Sequence, residues 1–376
     1  MIVIASPRSR SRSVADPQEL LEDLAFRFGR TYDSYLSLEP GRQQFWSRDR
    51  SGVVSFVKVG RYLQIGGGLL AAPEDKPALL AELVAWAGQR GLFLSFYNLL
   101  DDDLPLLRQH GFQVTKWGEE AVIDLEDCTW HGKAFEWVRR QSNYCQRKGL
   151  VIAEYQSDLL SPEEDEALLA EMHEVAAEPL KSRPQHADVR FVEGAFDPEH
   201  LGRKRLFVAR SEGGEGRVEG LLVCNPAEDG RMWAFELYRH RNDAVRGTVA
   251  FLMHHVSQLM REEGVAQVSM CLIPGQGCGQ PQPGDSAMTR WGLLIGSRYC
   301  SFLFDTAGVA YFKSRFRPRY EDRYIGAWPR QTVGSAWAFV RALGVLDIDC
   351  GKTCRLLFRG LVDMLRKLGK LGDDAG

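Results

Sequence analysis

Short runs of apolar residues at strand spacing alternate along this chain with segments whose apolar positions fall three and four apart. That alternation predicts a mixed α/β fold. The first half reads as strands over 52–59 and 61–67, a helix over 77–91 and a strand over 92–98. A short helix over 104–111 and a strand over 112–125 follow. In the long helix Leu79, Leu80, Leu83, Val84 and Ala87 share one face, and Gly91 supplies a stop. The second half repeats the order. A helix over 162–178 carries Leu168, Leu169, Met172, Val175 and Ala176 on one side. Strands over 205–211, 218–225 and 232–238, a helix over 248–262 and a strand over 266–273 come next. A short helix over 286–292 and a strand over 297–305 complete the pattern. Each half puts a helix ending in Gly and an apolar residue, Gly111-Phe112 and Gly292-Leu293, before its late strand. The repeat predicts two similar α/β units, fused and diverged. The expected divisions are a flexible basic arm over 1–16, an N-terminal domain over 17–130 and a connecting basic helix over 131–150. A C-terminal catalytic domain over 151–328 and an amphipathic basic tail over 329–376 follow.

Length agrees, since 376 residues exceed what one core usually holds. No run of about 18 apolar residues occurs, so no membrane span is expected. The eight cysteines are scattered without zinc spacing, which suits reduced thiols in a cytosolic protein. Cys145 and Cys271 are alternative nucleophiles, and neither has a His and an acid nearby in sequence. His254 and His255 lie mid-helix with no second ligand pair, so no metal is expected. Charge is uneven: the whole carries net −3, whereas Val309 to the end has 13 Lys/Arg against 7 Asp/Glu. A basic end on an acidic body predicts an anionic partner. Within it Leu357, Leu361, Met364, Leu365 and Leu368 share a helical face, with Arg355, Arg359, Arg366, Lys367 and Lys370 around the rest. Such a helix either lies in an anionic lipid interface or packs on its own domain.

The chemistry concentrates in 233–248, WAFELYRHRNDAVRGT, where a strand passes through a polar turn into an apolar helix. Glu236 and Arg239 sit at the strand end, and Arg246, Gly247 and Thr248 open the helix, whose free N–H groups would suit a phosphate. Glu236 and Arg239 also read as a surface ion pair. Lys313, Arg315, Arg317, Arg319 and Arg323 interleave with Tyr311, Phe312, Phe316, Tyr320 and Tyr324, a pattern of nucleic-acid or headgroup surfaces and also of a solvated basic segment.

The strand–turn–helix junction within two α/β units resembles the GCN5-related acyltransferases. Their Arg/Gln-x-x-Gly-x-Gly/Ala turn is here a longer, more cationic loop with one Gly, Arg239 to Thr248. FELYRHRNDAVRGT further resembles the Asp-Leu-Met-Arg-Tyr-Arg-x-Asp-Ala-Pro-x-Gly-Thr segment of the catalytic domain of phosphatidylglycerol lysyltransferases (DUF2156). Glu236 stands at the family's Asp, Arg239 at its Arg, and Val245 at its Pro. Residues 118–149, 189–201 and 311–325 resemble three further family segments, with Arg315 and Tyr320 replacing a Lys and a Trp. The resemblance implies tandem GCN5-like domains with the active site in the second. It implies transfer of an aminoacyl group from aminoacyl-tRNA to a membrane lipid hydroxyl, by a cytoplasmic enzyme bound peripherally at the inner face of the membrane. In that scheme Glu236 holds the donor's α-ammonium or acts as base. Arg239 and Lys313 face a phosphate of tRNA or lipid, while Arg246, Gly247, Thr248, Arg315, Arg323 and Tyr324 bind substrate. No resident cofactor is expected. The alternatives are a coenzyme A thioester donor with a small amine acceptor, and a non-catalytic lipid- or nucleic-acid-binding module.

Overall fold

The computed structural model describes residues 16–182, 191–211, 216–299 and 306–344. The expected basic arm before Asp16 and the amphipathic helix of the tail lie outside the described residues. In chain order, the first half comprises α1 (Pro17–Phe28), β1 (Gln43–Trp46), β2 (Gly52–Val59), β3 (Tyr62–Ile65), β4 (Leu70–Ala71) and α2 (Lys76–Gln89). It continues with β5 (Phe93–Leu99), α3 (Leu104–Gln109) and β6 (Gln113–Asp124). The helix α4 (Glu136–Arg147) leads into β7 (Leu150–Glu154), α5 (Pro162–Ser182), β8 (Arg205–Ser211), β9 (Val218–Ala227) and β10 (Met232–His240). Then come α6 (Thr248–Glu262), β11 (Gln267–Pro274), α7 (Ala287–Tyr299), α8 (Thr306–Ser314), β12 (Arg319–Trp328) and α9 (Val333–Ala342). Among the described residues no helix is long and apolar enough to cross a membrane.

The described strands form one mixed sheet ordered β1-β2-β3-β5-β12-β6-β11-β10-β9-β8-β7, with β4 beside β2. Its pairings are antiparallel except at two equivalent places, β3 with β5 and β10 with β11. The repeat read from the sequence is thus visible as β2-β3-β5 and β9-β10-β11. The two units exchange their last strands. The first half's β6 pairs with β11, the second half's β12 pairs with β5, and β6 and β12 pair with each other at the centre. That exchange joins the halves by backbone hydrogen bonds rather than by a side-chain interface.

The apolar stripes fill separate layers. Leu79, Leu80, Leu83 and Ala87 of α2 pack on β2, β3 and β5. Ala250, Met253, Val256 and Met260 of α6 pack with Val138 and Cys145 of α4 on the second half. Every residue of β9 is buried, as expected for a strand covered on both faces.

Two segments differ from the sequence pattern. The helix α7 extends through Tyr299, so positions 297–299 of the expected strand are helical, and 300–305 lie outside the described residues. Gly292 lies within it, whereas Gly111, at φ +80°, follows the end of α3 in the left-handed conformation that stops a helix. The basic aromatic stretch 311–325 is the end of α8 and most of β12 rather than a solvated segment.

Candidate active site

The parallel pairing of β10 with β11 holds only over Met232–Ala234 and Gln267–Ser269. Beyond it both strands lose register with their outer neighbours, β10 between Phe235 and Leu237, β11 between Ser269 and Leu272. Cys271 adopts φ +66°. An irregularity of this kind bends a strand and re-aims a side chain. The residue at the β10 irregularity is Glu236.

Glu236 is 8% exposed, and its Oε1 accepts the backbone N–H of Gly194 at 2.5 Å. Burial raises its pKa to about 7; the Gly194 N–H and Lys204 pull it down, and Glu193 and Glu39 push it up. Gly194 belongs to a strap between α5 and β8. The next N–H, of Ala195, donates to Glu39 Oε2 at 3.1 Å, and Lys204 Nζ donates to Glu39 Oε1 at 2.7 Å. Glu39 lies in the first half, so one strap ties both halves to the carboxylate. A Cβ at Gly194 would lie 2.9 Å from Glu39 Oε1 and 3.2 Å from Glu236 Oε2. Gly194→Ala is therefore expected to displace the strap from Glu236. Steady-state kinetics should show at least about tenfold loss of turnover, with the unfolding midpoint shifted far less.

Arg239 is 6% exposed and donates from Nη2 to Glu193 Oε2 at 3.1 Å and from Nη1 to the Tyr238 carbonyl. The sequence reading of Glu236 and Arg239 as a surface ion pair is thereby corrected: both are buried, and both bond to the strap.

Lys313, expected to face a phosphate, is instead 4% exposed beneath β11, where Nζ donates to the carbonyls of Cys271 and Leu272, each at 3.0 Å. It braces the irregular strand, and burial lowers its pKa to about 8. Arg323 and Tyr324, expected on a substrate surface, lie on the exchanged strand β12. Arg323 Nε donates to Glu120 Oε2 at 2.7 Å and Nη2 to Glu321 Oε2 at 2.6 Å. Tyr324 packs in the core of the first half. Both point inward because β12 is a central strand.

At the α6 N-terminus the Thr248 N–H, expected to be free for a phosphate, is already engaged. The Thr248 N–H and hydroxyl both donate to the Val245 carbonyl, at 3.1 and 2.6 Å. Gly247, at φ +97°, is approached by Gln141 of α4, whose Oε1 lies 2.6 Å from where a Cβ would stand. Arg246 is exposed beside it. Arg315 lies over Trp137 at 5.2 Å and Tyr311 at 5.6 Å. With Lys133, Arg140 and Arg317 it lines an open hollow of about 490 Å³ that contains one acid, Glu136. The outward face of α4 carries Arg140, Tyr144 and Arg147.

The two candidate thiols are poor nucleophiles. Burial pushes Cys145 up to about 11 and Cys271 well above the usual thiol range. His254, packed against Trp130 and bonded to Ser142 Oγ, is lowered to about 4 by burial and is neutral.

Sequence reasoning missed Glu39, Glu193, Lys204 and Arg42. Glu193-Gly194 lies in a segment that it did single out, 189–201. Glu39, Lys204 and Arg42 carry no local signal. Arg42 is 8% exposed, donates to the Phe191 carbonyl of the strap at 2.9 Å, and holds two further nitrogens without a protein acceptor.

In the first half the equivalent gap is closed by the chain itself. Asp33 accepts the Gly67 N–H at 3.0 Å and Asn98 Nδ2 at 2.8 Å, and Asn98 Oδ1 accepts Trp117 Nε1 at 2.9 Å.

Paired β-β-α-β units, each with one parallel pairing, and a buried carboxylate at the opening of the second define a tandem GCN5-related acyltransferase fold. Residues 23–327 match the family described as phosphatidylglycerol lysyltransferase, C-terminal, and the chain belongs to that family. A phosphatidylglycerol lysyltransferase of Bacillus subtilis (strain 168) is 25% identical over 318 residues, covering 83% of this chain and 35% of the relative. One from Staphylococcus aureus (strain COL) is 22% identical, covering 81% and 35%. The chain thus spans about a third of the length of these relatives. Among solved structures, L-PGS from Bacillus licheniformis superposes with a TM-score of 0.69 at 22% identity, covering 87% of this chain and 96% of that one. The C-terminal DUF2156 domain of an Agrobacterium fabrum protein gives 0.70 at 21% identity, covering 89% and 97%. These likenesses carry the fold.

Proposed function

We propose that this chain transfers an aminoacyl group from an aminoacyl-tRNA to the hydroxyl of phosphatidylglycerol, working peripherally at the inner face of the membrane. The observation that carries the chemistry is Glu236, a buried carboxylate with a pKa of about 7 at the opening between two parallel strands. A base with that pKa is half ionised near neutrality, where proton transfer in both directions is efficient. The lipid hydroxyl oxygen attacks the ester carbonyl as Glu236 takes its proton. The tetrahedral intermediate then expels the tRNA 3′ ribose oxygen, which recovers the proton from Glu236. One C–O bond forms and one breaks. The donor ester is already activated, so no enzyme-bound acyl group is needed, in keeping with the raised thiol pKa values. Lys313 holds the irregular β11 in place through the Cys271 and Leu272 carbonyls.

Two features favour a tRNA donor over coenzyme A. At the α6 N-terminus, where this fold would hold a pyrophosphate, the Val245 carbonyl takes the Thr248 N–H and Gln141 packs against Gly247. The cationic hollow, floored by Trp137 and bordered by Arg140, Arg315 and Arg317, offers a polyanion both charge and an aromatic face. Arg140→Glu with Arg315→Glu should raise KM for aminoacyl-tRNA at least about tenfold and flatten its salt dependence, with kcat nearly unchanged. The overall test incubates the protein with phosphatidylglycerol vesicles and a tRNA pool charged with radiolabelled amino acids. Label entering the lipid extract, and lost in Glu236→Gln, supports the reading. No label in lipid while the tRNA stays charged would overturn it.

A further inference from the structure

The helices α7 and α9 pack their inner sides on one cluster and leave a common kind of outer side. Leu293 of α7, Phe339 and Ala342 of α9, and Leu343 meet Tyr97, Trp117, Phe191 and Cys271 in that cluster. Phe339 stacks on Tyr97 at 4.4 Å and meets Trp117 edge-on at 5.6 Å. Outward, Trp291 and Trp337 are each 57% exposed, Val333 is 75% exposed and Met288 is 37% exposed. Val333, Trp337 and the exposed Arg341 fall at i, i+4 and i+8, one stripe along α9.

The two helices themselves carry charge of one sign, with Asp285 just ahead of α7. Residues 286–299 and 323–344 contain no Asp or Glu, although the whole chain carries more acids than bases. Arg290 and the exposed Arg330 and Arg341 edge the two helices, with the Arg290 guanidinium 5.7 Å from the Trp291 ring centre. Exposed tryptophans on two helices that carry arginines and no acids match the interface of an anionic bilayer. There the indole rings sit at headgroup level and the guanidinium groups meet lipid phosphates. A protein partner of ordinary composition gives no reason for both helices to lack acids.

We propose that the outer faces of α7 and α9 form the docking surface for an anionic lipid bilayer. The cluster beneath them includes Ala234 and Cys271 of the splayed strands and Val192 of the strap that holds Glu236. That places the surface over the same strands and strap that carry Glu236. The surface deepens the proposed function and rests on it for the acceptor.

The test uses the full chain. Wild type and the double variant Trp291→Ala/Trp337→Ala are sedimented with vesicles of mixed phosphatidylglycerol and phosphatidylcholine. Both indoles are exposed, so the variant keeps its core. It should partition about tenfold more weakly, whereas Arg290→Gln/Arg341→Gln should lose chiefly the part of binding that salt abolishes. Transfer to a water-soluble, short-chain phosphatidylglycerol should be unchanged in the tryptophan variant, while transfer to vesicle lipid falls. Vesicle binding equal to wild type overturns the docking face. So does a loss accompanied by conversion of a lipid-free dimer to a monomer, which would assign the surface to a second copy. Tryptophan-dependent vesicle binding with no transfer to either acceptor would leave the docking face standing and remove the proposed reaction.

Discussion

Glu236→Gln is expected to make the protein more stable above pH 7 while removing its activity. Burial holds the Glu236 carboxyl at about 7, against 4.5 for an ordinary glutamate. Below about pH 4.5 the group is protonated folded or unfolded, and it has no effect on the pH dependence. Between 4.5 and 7 the folded protein keeps a proton that the unfolded chain releases, so folding stability falls as pH rises through this window. Above 7 the loss is complete, at most about 3 kcal/mol. Gln keeps the shape and can still accept the Gly194 N–H, but it has no charge to bury. Urea unfolding at pH 8 should show a gain of about 1–3 kcal/mol, shrinking toward pH 5. Turnover should fall by about 10²–10⁴, the usual worth of a general base. Wild-type kcat/KM should rise with pH through about 7 as the base ionises. A variant that is less stable at every pH, or one that keeps its turnover, would remove Glu236 from this role.

Arg323→Met is expected to destabilise strongly. Arg323 and Glu120 are 3% and 0% exposed at the side chain, and their bond ties exchanged strand β12 to β6 at the sheet centre. Removing the guanidinium leaves Glu120 in the core with the Ser269 hydroxyl as a neutral partner. An uncompensated buried charge of this kind costs about 3–5 kcal/mol. Adding Glu120→Leu should recover much of that loss, because no charge is then left buried. The measurement is the urea midpoint of the two single variants and the double. A change in KM at unaltered stability would instead return Arg323 to the substrate surface that its sequence neighbourhood suggests.

Much of the molecule is legible from residue order. The apolar stripe of α2, the spacing in α6 and the continuous runs of β9 and β10 each specify an element, because local periodicity reports which side of a segment is buried. The repeat of those elements specifies two related units, and Glu236 stands at a strand end before a helix. These are properties of a few neighbouring residues, and sequence carries them directly.

Pairing between distant segments is another matter. That β6 and β12 change places, and that Arg323 and Tyr324 therefore face a core, depends on strand partners far apart in the chain. The alternation of polar and apolar side chains in β12 is the same whether it lies at an edge or at the centre. The Gly194 strap, Glu39 and Lys204 reach Glu236 only through the folded backbone, and the packing of Gln141 against Gly247 brings in a residue of another helix. Residue types determined the elements and singled out Glu236. Tertiary structure alone decided its pKa, because desolvation and neighbouring charge are set by what surrounds a group in space.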